Sequence, residues 1–150
     1  VYRQGKCGVI MPLRGFESIC SKNAGQIVSR DKGNPQYHKG INVARSCVTH
    51  YKIDGDVIKS GDRCDYLLIN EDKRVAYLIE LKGSDLVKAA SQLAATEEVL
   101  NQELSNYRLQ YRIVANKCKT QEIYSSAYRK YQIRWKGRLI QKTRFIEEEI

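Results

Sequence analysis

CDYLLIN (Cys64–Asn70), EDKR (Glu71–Arg74) and VAYLIELK (Val75–Lys82) run without a break, and this stretch decides the fold. Two β-prone runs joined by four charged residues predict an antiparallel hairpin. In a strand, residues two apart share a face, so Glu80 and Lys82 point one way and Leu81 the other. A tight turn near Asp72 then sets Asp65 opposite Glu80. Two carboxylates and an ammonium group meet at one end of the sheet. Opposed like charges destabilise a sheet and raise each other's pKa unless a cation intervenes. A divalent metal removes the conflict: Mg²⁺ is typically held by one or two carboxylates together with substrate phosphate and water, which Asp65 and Glu80 suit. Such a metal lowers the pKa of its water and stabilises the charge on an attacked phosphate. Lys82 would orient or deprotonate that water and neutralise the transition state.

Working outward, Ser84 can cap a helix starting at Asp85, in which Leu86, Ala90, Leu93, Leu100 and Leu104 mark one apolar stripe. YRIVANK (Tyr111–Lys117) follows as an apolar strand, so Val75 to Lys117 has the form of a right-handed β-α-β crossover in a mixed sheet. Upstream, Phe16, Ile19, Cys20, Ala24 and Ile27 recur at helical spacing and predict a short helix over 14–28. Asp31–Gly40 reads as a loop, and Asp54-Gly55 as a hairpin turn near the first strands. Downstream, the reading is a helix over Ser125–Trp135 and a final strand over Leu139–Ile146.

With 150 residues, 42% hydrophobic and 29% charged, the chain suits one domain with one real core rather than a repeat array or a disordered polymer. Lys and Arg number 26 against 17 Asp and Glu, a net charge of +9 that points to an anionic partner. Five scattered cysteines (Cys7, Cys20, Cys47, Cys64 and Cys118) contain no C-x-x-C pair; a zinc knuckle or disulfide framework is not expected, and a reducing, cytoplasmic setting is. No apolar run approaches the roughly 20 residues of a membrane span, and no secretory leader is visible. The chain starts at Val1 rather than Met, as a domain cut from a longer protein would.

Asp65, fourteen intervening residues, then Glu80-Leu81-Lys82 resembles the D…(D/E)-x-K core of the PD-(D/E)XK nuclease superfamily, the restriction-endonuclease-like fold. The resemblance implies an α-β-β-β-α-β core over about 14–117, with a basic extension over about 118–150. It further implies Mg²⁺-dependent phosphodiester hydrolysis, with Mn²⁺ as substitute. Asp65, Glu80 and the Leu81 carbonyl would be metal ligands, and Lys82 the catalytic lysine. Cys64 stands where the motif's name has proline. Glu17, within the first predicted helix, is the candidate for a further carboxylate; Gln92, with Lys88 four residues before it, is the candidate for a polar group from the following helix.

Between Arg108 and Arg144 eleven basic residues face a single acid, Glu122, and Tyr107, Tyr111, Tyr124, Tyr128, Tyr131 and Trp135 are interspersed. Basic residues among aromatics suit phosphate contact and base stacking. Arg129, Lys130, Arg134, Lys136, Arg138, Lys142 and Arg144 are therefore the expected nucleic-acid contacts. His38, in its Gly/Asn/Pro-rich segment, is a lesser candidate for phosphate contact. The leading expectation is a metal-dependent endonuclease, on DNA ahead of RNA, able to dimerise for double-strand cutting. The alternatives are a non-catalytic nucleic-acid-binding module of the same fold, or a toxin nuclease domain delivered into a cytoplasm and held by an acidic immunity protein.

Overall fold

Strands buried on both faces build one sheet and strands with alternating burial build a second. The computed structural model describes residue 13, residues 15–82 (at Lys82 the main chain only) and residues 84–150; Cys7 lies outside them. A five-stranded sheet runs in the order β3 (Val48–Lys52), β4 (Tyr66–Asn70), β5 (Val75–Lys82), β6 (Arg108–Ala115), β7 (Leu139–Thr143). β3, β4 and β5 are antiparallel neighbours, whereas β5, β6 and β7 are parallel. A three-stranded sheet, β1 (Gln26–Arg30), β2 (Tyr37–Ile41) and β8 (Phe145–Glu149), pairs β1 with β2 antiparallel and β2 with β8 parallel. The architecture is a mixed α/β domain with two mixed sheets and, among the described residues, three helices.

The hairpin falls where its sequence places it. β4 pairs with β5 in the register Tyr66↔Ile79 through Asn70↔Val75. β5 alternates: Ala76 and Leu78 enter the core beneath α1 (Leu86–Val99), and Val75, Tyr77, Ile79 and Leu81 enter the core facing the small sheet. Both faces are covered, and β4 and β5 accordingly read as nearly unbroken apolar runs. α1 carries the chain from β5 to the parallel β6, completing the expected crossover. Its N-cap is Asp85 rather than Ser84: the Asp85 carboxylate accepts the Lys88 N–H at 2.9 Å. α1 stops at Val99, so Leu100 and Leu104 are buried from the turns that follow it.

Two expectations upstream of the hairpin need correction. The described part of 14–28 holds no helix: residues 16–25 are irregular and Gln26–Arg30 is β1, whose strict exposed-buried alternation is a period of two. The apolar spacing that mimics a helix there comes from a segment tied to β3 by Ile19 N–H to His50 O and Val48 N–H to Lys22 O, both 2.8 Å. β2 occupies the end of the predicted 31–40 loop. It brings Gly40 so close to the large sheet that a Cβ there would lie 2.8 Å from Leu68 Cδ2.

Nor is the tail beyond Lys117 an appendage. After α2 (Thr120–Ile123), α3 (Ser126–Arg134) delivers Tyr128 and its capping residue Trp135 into the core against Tyr111, with the Trp135 and Tyr111 rings stacked 4.1 Å apart. The predicted last strand is two strands in different sheets, because Arg144, at φ +74, turns the chain out of β7 into β8. Cys20, Cys64 and Cys118 are free thiols but Cys47 is disulfide-bonded, so the cysteines no longer argue for a reducing compartment. No helix of the described residues is long and apolar enough to cross a membrane.

Candidate active site and basic face

The end of the β4–β5 hairpin is fixed by main-chain bonds that converge on Asp65, one residue before β4. Asp65 N–H donates to Ile79 O at 3.1 Å, and its carboxylate Oδ2 accepts the Leu81 N–H at 2.7 Å. Together these bonds straddle Glu80 and hold the two carboxyl-bearing residues across from each other. On the other side, Ile53 N–H donates to Asp65 O at 2.8 Å. Glu80 is 1% exposed and lies on the α1 side of β5, whereas Asp65 is half-buried. Lys82 ends β5 opposite Ala115 of β6; its side chain is outside the described residues.

α1 braces this corner from above. Thr96 Oγ1 accepts the Cys64 N–H at 2.7 Å, and Gln92 Nε2 donates to Arg63 O at 3.2 Å, pinning the two residues that precede Asp65. Gln92 Oε1 is buried with no hydrogen-bond partner. Burial pushes the Cys64 thiol up in pKa, and the Glu80 and Asp65 charges push the same way while its bond with Thr96 opposes them. Past β5, a cleft of about 490 Å³ lined by Ser84, Asp85, Lys119, Gln121 and Glu122 opens at the foot of α1. Glu122 Oε1 accepts the Leu86 N–H there. Lys88 is exposed on α1. Glu17 is exposed in irregular chain rather than on a helix.

Among the described residues no group of three or more His, Cys, Asp or Glu is arranged to hold a metal. The donors at the hairpin end are the Asp65 and Glu80 carboxylates and the Leu81 main chain, an all-oxygen set of the kind a hard cation such as Mg²⁺ takes when substrate and water complete its shell.

The basic residues divide into exposed and packed. Arg129, Lys130, Arg134, Lys136, Lys142 and Arg144 are exposed and Arg138 is half-buried. Arg134 pairs with Glu97 at 3.1 Å, and Arg138 lies 5.5 Å over the Tyr111 ring. The aromatics interspersed with them are not available for stacking as expected: Tyr111, Tyr128 and Trp135 are core, Tyr107 and Tyr131 are half-buried, and Tyr124 alone of the six is exposed. Burial of so much ring area against α1 outweighs its exposure to a ligand.

Sequence reading gave no warning of the polar network between the sheets. Buried Arg112 makes a two-pronged pair with Glu148, at 2.7 and 2.9 Å, and Glu148 also meets His38 Nε2 at 2.9 Å. Burial opposes ionisation of Glu148, but its bonds to His38 and Arg112 win and hold its pKa down to about 2. His38, fully buried on β2, is a core residue rather than a phosphate-contacting one. His50 Nε2 bonds Ser29 Oγ at 2.9 Å and its ring stacks on Tyr66. Nothing local marks these partners, since His38 and Glu148 lie 110 residues apart.

Compared with known proteins, the chain matches no family model, no curated protein and no solved structure.

Proposed function

We propose that the chain is a metal-dependent nuclease with a restriction-endonuclease-like core, hydrolysing phosphodiester bonds, DNA ahead of RNA. The observation that carries this reading is the hydrogen bond from Leu81 N–H to the Asp65 carboxylate, which with the Asp65 N–H to Ile79 O bond sets Asp65 across from the buried Glu80. Asp65 and Glu80, with the Leu81 carbonyl, would hold Mg²⁺, which when bound supplies an acidified water and charge stabilisation at phosphorus. Asp65 is preoriented by its main-chain bonds, so little reorganisation is needed to use it. Glu80 is kept out of bulk water, so a charge on it would act more strongly than in solvent. Lys82, two residues on from Glu80, offers an ammonium to orient the attacking water and to offset charge in the transition state. Gln92 and Thr96 act as positioning groups through Arg63 and Cys64. The exposed cations of α3 and β7 supply phosphate contacts.

The test is cleavage of supercoiled plasmid, linear duplex, single-stranded DNA and RNA with Mg²⁺, Mn²⁺ or EDTA. Cleavage with either metal, absent in EDTA and lost by about a thousandfold or more in Asp65→Asn, Glu80→Gln and Lys82→Ala, is the expected result. Activity surviving in all three variants places the site elsewhere. Salt-sensitive binding with no cleavage by the wild-type protein supports the second reading, a binding module of the same fold, which rests on the exposed cations alone.

A further inference from the structure

The helical face of the large sheet carries a groove at the C-terminal end of α1. Its volume is about 480 Å³; Leu13, Ile58 and Leu100 form its floor, and Phe16, Val57 and Val99 wall it. Phe16 is 36% exposed and Val99 57%, so water covers much of that apolar wall. The rim is acidic. Glu103 lines the groove, and exposed Glu17, Asp56 and Glu98 each adjoin a lining residue in sequence, against one such base, Lys59, among the described residues. On a chain of net charge +9, a rim of this sign repels nucleic acid and suits a cationic segment with an apolar side chain to bury.

α3 offers that chemistry. Ile133 is 65% exposed, and Arg129 and Lys130, one helical turn before it, are exposed on the same side of the helix. The acid that α3 already contacts, Glu97 of α1, is taken by Arg134 at 3.1 Å and by the Tyr111 hydroxyl at 2.7 Å.

Groove and knob flank the same helix. On one side of α1, Thr96 accepts the Cys64 N–H, and the connection from β3 to β4 brings in Val57 and Ile58. On the other side, Glu97 meets Arg134 of α3, in the connection from β6 to β7. Val57, Ile58 and Tyr131 of α3 all pack on the core that α1 covers, so both features belong to one face of the large sheet. Between them, helical spacing sets the small Ser91 and Ala95 on the side of α1 away from buried Leu93, where a second backbone can approach closely. Ile133 and the groove are kept apart by α1 within one chain. A two-fold axis passing through the outer side of α1 brings each knob over the other copy's groove.

We propose that two copies of the chain pair through this face, Ile133 of each entering the groove of the other while Arg129 and Lys130 meet the acids of its rim. The pairing draws on the groove and α3 alone and does not depend on the nuclease reading. Nucleic acid held by the α3 cations competes with it.

Analytical ultracentrifugation of the whole chain at low salt is the test. The wild type should pass from monomer to dimer with a dissociation constant on the order of tens of micromolar, as a small interface gives, and form nothing larger. Glu103→Lys and Lys130→Glu, both at exposed positions, should melt with the wild type. Each should weaken pairing about tenfold or more, because like charges then meet at both contacts. Mixed in equal amounts, the two variants should recover the wild-type constant: one contact has its charges exchanged and the other is native. A wild type that stays monomeric overturns the pairing and leaves the groove to a foreign cationic segment. Unchanged pairing in either variant, no recovery on mixing, or growth beyond the dimer also overturns it.

Discussion

His50 shows how far a single buried side chain controls stability here. Burial first, and the nearby His38 second, lower its pKa from 6.5 to about 4, and its neighbours Ser29 and Tyr66 offer no charge to compensate. The unfolded chain takes up a proton at His50 near pH 6.5 that the folded chain refuses until about pH 4. Stability is therefore fully present above 6.5 and falls as pH drops through that window, by about 3 kcal/mol at its lower end. Glu148 acts in the same direction at lower pH, its contribution being present above 4.5 and lost as pH falls towards 2. Urea midpoints at pH 7 and pH 5 should differ in the wild type and converge in His50→Gln; equal pH dependence in both proteins would count against this assignment. Asp65 and Glu80 were legible as a pair because strand parity and turn length are local rules, whereas the roles of His38 and His50 depend on partners from distant strands.

At the scale of elements, the β4–β5 hairpin, α1 and β6 follow from apolar periodicity, and α3 from its capping Ser125, whose hydroxyl accepts the Tyr128 N–H at 3.2 Å. β1 and β2 escaped because each has five residues, two of them buried in β1, too few to outweigh a chance helical spacing upstream. α3 tests whether the basic tail is structural. Trp135 and Ile133 are two residues apart, yet Trp135 is 1% exposed and stacked on Tyr111 whereas Ile133 is exposed. Trp135→Ala should cost about 3–5 kcal/mol and Ile133→Ala almost nothing, read as shifts in the denaturant midpoint. Equal small effects would mean that the tail is dispensable.

For the whole molecule, the net charge of +9 and the exposed cations on α3 and β7 predict nucleic-acid binding that falls steeply with salt. Replacing Lys130, Lys136 and Lys142 together by Gln should make the slope of log affinity against log salt shallower by about 2 to 3, whatever the nucleotide sequence. An unchanged slope would exclude this face from phosphate contact.

What the amino-acid sequence determined by itself was the central unit: a hairpin whose register opposes Asp65 to Glu80, a crossover helix, and a parallel strand, each set by interactions within a short span of chain. Tertiary structure alone decided which aromatics among the basic residues are core, where β8 goes after Arg144, and which strands bring His38, Arg112 and Glu148 together. Those outcomes depend on pairing between segments about a hundred residues apart, where the energy lies in burial and register between elements and no local pattern records it.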